Sequence, residues 1–599
     1  MANILGIYDS NQERSVTYLK RIKPLLAIVE NLELNEHTQG NLSFAWAAHK
    51  KAPIEISTSH DGITAMVIGD LVNEHQGNEK NAEYIISRYR NSGSKNISGL
   101  NSYYGAFVKD IDNNISIGTG LLGNFPIYYW SNSDVLIFST VPSLFEYHPE
   151  FRKKLSIPGL VGILLTMHLV NNQTLLEEVK RLPAFNILSW KCGKQVNLLE
   201  GPRLELTTRW FGESFDSHIE MYDDILTRNI ANTTKNLTDV NQMQSGGLDT
   251  RIISGYLNQI NNLNAHPFTL GNKDDIEYYC SNEISRILGL ENKIVSENFS
   301  SFSKSAEKQI FTEYLSNGFN DLAWWQAIPV LQKNYSPLFT GLFGGDTMGG
   351  EAIKNGYIPE ARSYAFDPLF KKINFWGLKP EIISNLIKPL DNNNLVQDII
   401  NEMRRSYDAI EGLPFQRSWL FSLLHRQRFH ISSIAWRFSF GSWPYSPFSD
   451  NKLLNATAGI PASTLLKRRA QTALVNKKFP HLAQLPLDRN AANISPLISP
   501  PLTGKLQRKL RDFYYLTRTR NIKERRYYFR VHDINNPGWK SVREMVEPHR
   551  NEMSGLLDMK TLNNYLPKPD HNIPLNYGIG DASGLKIIMG FITWANKKL

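Results

Sequence analysis

Residues Gln244 to Arg251 read Gln-Ser-Gly-Gly-Leu-Asp-Thr-Arg, a set of residue types suited to holding a phosphate. Two adjacent glycines, Gly246 and Gly247, let a turn approach a phosphate closely and point successive N–H groups at it. Ser245 and Thr250 add hydroxyl donors, and Asp249 adds a hard oxygen ligand for Mg²⁺. The apolar residues that follow (Ile252, Ile253, Tyr256, Leu257, Ile260) are spaced as in a helix, which predicts a helix over Thr250–Ile260. The turn then sits at a helix N-terminus, where the dipole and free amides favour an anion. No lysine stands here, so this is not the Gly-x-x-x-x-Gly-Lys-Ser/Thr loop. A surface Gly-Gly turn that merely caps a helix is the alternative.

The loop resembles the Ser-Gly-Gly-x-Asp-Ser loop of the ATP pyrophosphatases, which cradles the pyrophosphate of ATP. A second stretch, Thr340-Gly-Leu-Phe-Gly-Gly-Asp-Thr-Met-Gly-Gly350, resembles the Ser-Gly-Asp-Gly-Gly-Asp-Glu-Leu-Phe-Gly-Gly of asparagine synthetases. One insertion and one deletion separate the two, and Thr347 replaces the family glutamate. Glycines clustered after a strand-like Pro337–Thr340 again suggest backbone approaching a phosphate-bearing ligand. The resemblance implies ATP held by Ser245, Gly246, Gly247, Leu248, Asp249 and Thr250 together with Gly341, Gly344 and Gly345. It implies Mg²⁺ between Asp249 and Asp346, and adenine against the backbone at Thr269 and Leu270, which could equally be a buried strand end.

A third segment, Arg426-Gln-Arg428-Phe429-His430 through Tyr445-Ser-Pro-Phe-Ser-Asp450, resembles the family's Arg-x-x-Met … Val-Pro-Phe-Leu-Asp. It places Trp443 where the family has a glutamate thought to assist the attacking amine. His430 and Tyr445 could substitute, or could simply be packed aromatics. In Leu485-Pro-Leu-Asp-Arg489, Arg489 stands where the resemblance puts a lysine that stabilises the pentacoordinate phosphorus, with Lys477 and Lys478 as rivals. Arg489 keeps the charge as a planar fork rather than a point.

These residues need a scaffold. Residues 1 to about 200 read as short strands separated by Gly/Asn/Asp/Ser turns: Ile4–Ile7, Thr64–Val72, Gly105–Asp110, Ser116–Gly118 and Pro126–Trp130, with a hairpin turn at Asn113-Asn114. Gly69-Asp-Leu-Val-Asn73, Tyr104-Gly-Ala-Phe107 through Gly123-Asn-Phe-Pro-Ile-Tyr-Tyr129, and Glu178 to Ala184 resemble the N-terminal glutaminase domain of asparagine synthetases. Such a domain uses an N-terminal cysteine and an oxyanion-hole asparagine. Here Ala2 occupies position 2, Leu5 precedes the Gly6-Ile7 pair, and Ile68 takes the asparagine's place. Without thiolate or hole donor, glutamine hydrolysis is not expected.

From about 205 helices alternate with short strands, the pattern of an α/β unit with a parallel sheet. The spacing predicts a strand over His266–Gly271 and a helix over Asp274–Leu288. The expected fold is α/β. It comprises a degenerate, antiparallel β-rich glutaminase-like (Ntn-type) domain over 1–200, an ATP pyrophosphatase-type domain over 205–500, and a helical, basic extension over 501–599 packing on the latter.

A chain of 599 residues, 41% hydrophobic, suits two or three globular domains. Cys192 and Cys280 are far apart, so neither a disulfide framework nor a zinc site is expected, and a reducing cytoplasm fits. The N-terminus lacks a signal-peptide pattern, and no apolar run is long enough to span a bilayer. The net charge is +9, with ten Lys/Arg against two acids between Lys505 and Arg530. That segment could guide an acidic peptide or be a solvated helix face; no nucleic-acid partner is expected.

The resemblance covers roughly residues 1–500. It implies an AMP-forming ligase that makes a carbon–nitrogen bond through an acyl-adenylate, with ATP and Mg²⁺ as cofactors. Relatives lacking the cysteine close rings: the β-lactam and carbapenam synthetases and the macrolactam synthetases of lasso peptides. The basic, aromatic C-terminal region favours the lasso reading, which would bring a precursor peptide and a cysteine protease as partners. A small-molecule amide synthetase and a non-catalytic nucleotide-binding descendant are the rivals.

Overall fold

The computed structural model describes residues 3–72, 80–358, 363–388, 394–490, 493–498, 525–575 and 582–598. The chain is α/β. Its first 200 residues form two six-stranded antiparallel sheets. Asn3–Asp9 lies inside the first, pairing with Leu42–Ala48 on one side and Val135–Ser139 on the other. The second contains Ile54–Thr58, Thr64–Ile68, Gly105–Lys109, Ile115–Thr119, Asn186–Trp190 and Asn197–Glu200. Ile4, Phe44 and Phe138 of the first sheet meet Met66, Phe107 and Ile117 of the second in one core.

Helices cover the outer faces. Gln12–Ile22 and Ile157–Thr166 pack on the first sheet and Asn81–Ser92 on the second. Strands covered on both faces need no polar alternation, which is why Asn3–Asp9 and Thr64–Ile68 are buried at every position. The expected turn at Asn113-Asn114 is present. Asn113 takes the left-handed conformation at φ 60°, and Asp110 accepts hydrogen bonds from Asn114.

The second half is built on five parallel strands: β1 (Asp239–Met243), β2 (Asn264–Leu270), β3 (Lys293–Val295), β4 (Leu338–Phe339) and β5 (Pro444–Tyr445). Their spatial order is β3-β2-β1-β4-β5. The chain therefore leaves β1 towards one edge through β2 and β3, then returns to β1's other side with β4. The switch in direction lies between β1 and β4, and open α/β sheets bind ligands outside the carboxyl ends of the strands at such a point. Helix α1 (Leu248–Leu257) follows β1, starting two residues before the expected span and ending three before its limit. Helix α2 (Ile276–Ile287) follows β2.

The C-terminal helix Ser583–Lys598 buries Ile587, Ile588, Phe591 and Trp594, the last edge-on to Tyr314 at 5.8 Å. Of the basic stretch, residues 501–524 lie outside the described residues. Arg525 and Arg526 contradict the expectation of a solvated or peptide-guiding face, because both are buried. Arg526 donates to Asp488 at 2.6 Å and lies 3.6 Å from Glu277, while Arg525 donates to the Asp274 carbonyl at 3.1 Å. Carboxylates far along the chain set the place of Arg526, and a backbone carbonyl that of Arg525. Among the described residues no helix is long and apolar enough to cross a membrane.

Candidate functional site

The loops after β1 and β4 carry the two glycine-rich motifs, and the sheet order brings them side by side. Beyond Met243, the Gln244 amide still donates to Phe268 on β2, and its side chain is buried between Ser254 and Ser285. The chain then turns at Gly246, with φ +78°. A Cβ there would stand 2.4 Å from Cys280 Cβ and 2.8 Å from the Ser281 amide, so α2 leaves room only for glycine. Gly247 caps α1 without a side-chain bond. Within the turn only long contacts of 3.4 Å link Ser245 Oγ to Thr250 Oγ1 and to the Gly247 amide. The donors of this loop are thus weakly engaged at the N-terminus of a ten-residue helix.

The second turn closes on the first. A Cβ on Gly341 would be 3.0 Å from Asp249 Cβ, and one on Gly344 would be 2.6 Å from Asp249 Oδ1. Gly345 faces Arg468, whose Nη2 would lie 2.8 Å from an added Cβ. Phe343, just before, is left-handed at φ +69°, and Trp419 donates its indole N–H to the Asp346 carbonyl at 3.1 Å. Ser245, Gly246, Gly247, Leu248, Asp249, Thr250, Gly341, Gly344 and Gly345 are therefore gathered at the switch point, with Asp346 beside them.

Two residues outside the motifs, and the arginine that closes the first one, complete the site. Gln471 donates to Asp249 and, at 3.1 Å, to the Gly344 carbonyl, tying the two turns together. Arg468 lies 3.5 Å from both Asp249 and Glu351. Lys467 and Arg468 are both left-handed, at φ 58° and 57°, and the Arg468 amide donates to Gly349 at 3.1 Å. Two strained residues in a row cost about 1–3 kcal/mol each, and this contact with the second motif helps hold them. Arg251 is fully buried behind α1, where its guanidinium donates to the carbonyls of Leu482, Leu485, Gly246 and Pro486. It pins the first glycine turn to the 482–488 segment, whose Asp488 amide bonds back to Gly246 at 3.2 Å.

Burial raises the Asp249 carboxyl pKa, and Arg468 opposes that rise. Burial also pushes Asp346 up to about 7; Arg426 opposes the rise, while Glu351 and Asp249 add to it as like charges. Two crowded carboxyls of this kind attract a cation. Among the described residues no three His, Cys, Asp or Glu side chains are placed to hold a metal ion alone. The donor set fits a magnesium ion carried in with a phosphate, since Mg²⁺ takes one or two protein carboxylates and completes its shell with phosphate and water.

Other expected residues lie elsewhere. The Thr269 hydroxyl faces inward, donating to the Gln244 carbonyl at 2.8 Å and touching Ser281 and Asn292. It braces the turn, while Leu270 ends β2 beside left-handed Gly271. Arg489 is exposed and donates to the carbonyls of Leu487 and Ser495. Lys477 pairs with Glu220 and Lys478 with Asp223. The cation beside Asp249 is instead Arg468. His430 faces Asp321 at 3.7 Å, its pKa lowered to about 4 chiefly by burial. Tyr445 donates to Asp70 and stacks on Phe339.

The β-rich part touches this site through Trp443, which is 1% exposed and lies 2.9 Å from where a Gly69 Cβ would be. A narrow cleft opens alongside, between Tyr103, Leu122 and Phe125 on one side and Thr340, Phe343 and Ser446 on the other. Sequence reasoning missed Arg251, Arg468 and Gln471. Arg251 closes the first motif with no local signal that its side chain turns inward, and Arg468 sat unmarked in a Lys-Arg-Arg run.

No family model matches the chain, and no curated protein matches it. Among solved structures it is similar to the allosteric regulatory enzyme of purine biosynthesis at TM-score 0.24 and 11% identity, covering 40% of this chain and 60% of that one. It is also similar to glutamine phosphoribosylpyrophosphate amidotransferase from B. subtilis, complexed with ADP and GMP, at TM-score 0.23 and 8% identity, covering 57% of this chain and 81% of that one.

Proposed function

We propose that the chain is an ATP-dependent, AMP-forming ligase that makes an amide bond through an acyl-adenylate. The observation that carries this reading is the meeting of two glycine turns at the β1/β4 switch point, with Gly341 and Gly344 packed on Asp249. The Gly246–Leu248 amides at the start of α1 would receive the leaving pyrophosphate. Asp249 and Asp346 would hold Mg²⁺, which when bound neutralises the charge that builds on the phosphates. Arg468 would add a fixed positive charge at the same place. Thr269 would act through Gln244 by bracing the turn, and the backbone at Leu270 remains the proposed adenine contact. Arg489, exposed and turned to backbone carbonyls, would have no catalytic role.

Glutamine hydrolysis is not part of this proposal. Leu5 and Ile68 are fully buried in two separate hydrophobic cores, and a Cβ on Gly6 would overlap the Phe138 ring at 2.0 Å. The β-rich part would serve as a wall of the cleft between Tyr103 and Phe343. The burial of Arg525 and Arg526 removes two charges that would have guided a long peptide, which favours a small carboxylate or a single side chain of a peptide. Macrolactam closure of a lasso-type peptide remains the finer form of the proposal, with the precursor peptide as substrate.

Incubation of the full chain with Mg²⁺, ATP and candidate carboxylates, followed by ³¹P NMR, tests the reading. AMP and pyrophosphate are expected, and Asp249→Ala should abolish both. ADP and phosphate as the products would refute the proposed mechanism.

A further inference from the structure

The glycine turn after β1 is in contact with two elements from different parts of the chain. One is α2, whose Cys280 Cβ and Ser281 amide would lie 2.4 Å and 2.8 Å from a Cβ on Gly246. The other is the 482–488 segment. There the Asp488 amide donates to the Gly246 carbonyl at 3.2 Å, and the Asp488 carbonyl would lie 3.8 Å from a Cβ on Gly247. Gly246 is left-handed at φ +78°, a conformation that glycine leaves as easily as it enters, so its neighbours must hold it.

Arg526 bridges these two elements. Its Nη1 donates to Asp488 Oδ1 at 2.6 Å and lies 3.6 Å from Oε1 of Glu277, which stands one helical turn before Cys280 and Ser281 on α2. All three side chains are buried. Neither Glu277 oxygen has a hydrogen-bond partner among the described residues. Burial and the nearby Asp488 hold the Glu277 carboxyl above its usual range, and Arg526 opposes them. The neighbouring backbone is seated as well. Helix α2 starts without a side-chain cap, and its first amide, that of Ile276, donates to the Arg525 carbonyl at 3.0 Å.

We infer that Arg526 is a positioning residue for the first glycine turn: by bridging Asp488 and Glu277 it fixes the turn in the form whose amides receive a phosphate. A residue from the C-terminal part of the chain thereby completes a site whose motifs lie some two hundred positions earlier, at Gly246 and Gly247. Arg526 would not touch the phosphate. It acts through the Asp488 amide and the Gly246 carbonyl. Without the guanidinium, Asp488 and Glu277 would face each other as buried like charges, and the two elements would part around Gly246. The inference rests on the nucleotide reading of that turn.

Two measurements on the full chain test it: calorimetry with Mg²⁺–pyrophosphate, and amide hydrogen exchange over residues 245–251 with no ligand present. Arg526→Gln is expected to weaken pyrophosphate binding by about tenfold or more and to speed the exchange. Arg526→Lys should restore part of both, since an ammonium keeps the charge but lacks the fork. Asp488→Ala should weaken binding similarly, and Arg526→Gln with Asp488→Ala no further than either alone, because the two side chains form one link. Arg530→Gln is the control. It removes a guanidinium from the same segment, one that pairs with Asp275 and Glu297, and should change neither measurement. Should Arg526→Gln not fold, Arg526→Lys and Asp488→Ala carry the test. Wild-type affinity and exchange in folded Arg526→Gln would overturn the inference. So would additive losses in the double variant, or an equal loss in Arg530→Gln, which would make docking of the whole segment the cause. Wild-type protein that binds no Mg²⁺–pyrophosphate would refute the nucleotide reading instead, while the exchange measurement would still decide whether Arg526 holds the turn.

Discussion

Gly344 sits so close to Asp249 that a Cβ on the glycine would stand 2.6 Å from the aspartate's Oδ1. Ninety-five positions apart, the two residues form the seam between the β1 and β4 loops. Gly344→Ala should push the carboxylate aside and weaken Mg²⁺–ATP binding by about tenfold or more, as calorimetry would read. Thermal unfolding should shift little, because Asp249 is only half-buried and can move. Unaltered ATP affinity in this variant would show that Asp249 is not part of the nucleotide site.

Asp346 should make stability fall with rising pH. Its folded pKa, about 7, is above that of an unfolded aspartate. Between about pH 4 and 7 the folded chain keeps a proton that the unfolded chain has released, so unfolding free energy declines as pH climbs through that window. Asp346→Asn should flatten this part of the curve in urea titrations at pH 5 and pH 8. Mg²⁺ should recover stability in the wild type at pH 8, where the carboxyl is charged. Parallel pH curves for the two proteins would count against the assignment.

Arg251 should matter for stability more than for chemistry. Its guanidinium satisfies four buried carbonyls, and hydrogen bonds to a charged group contribute about 1.5–3 kcal/mol each. Arg251→Met should cost about 3 kcal/mol or more and be seen as a lower denaturant midpoint. A change below about 0.5 kcal/mol, typical of surface substitutions, would mean that this buried link is dispensable.

Trp443 joins the inter-sheet core to the start of β5, packed against Gly69 and Tyr103. Trp443→Ala should destabilise by about 3–5 kcal/mol, the usual cost of emptying a large buried aromatic site. Because Trp443 touches both halves, they should unfold closer to independently in the variant. Two calorimetric transitions replacing one would be the expected sign; an unchanged single peak at the wild-type temperature would contradict the coupling.

What the sequence determined by itself was local. Apolar spacing after Leu248, the Gly-Gly turn before it and the Asn113 hairpin are short-range signals, and each produced its element within a few residues. The alternation of strand and helix beyond residue 205 was enough for a parallel sheet, because parallel strands need a crossover between them. The identity of the two acidic glycine turns was legible for the same reason: every atom of each turn comes from a few consecutive residues.

Only the tertiary structure decided what meets what. Gln471 reaches Asp249 across 222 positions, and Arg251 reaches Leu485 across 234. No spacing rule connects residues so distant, since their pairing is set by how the sheet orders β1 beside β4. Charge was the least legible property. Arg489 looked like the site cation yet turns to backbone carbonyls, Arg525 and Arg526 looked like surface and are buried against Asp274 and Asp488, and Arg468 took the place beside Asp249. A long cationic side chain goes where a buried oxygen needs it, and the locations of buried oxygens exist only after the chain has packed.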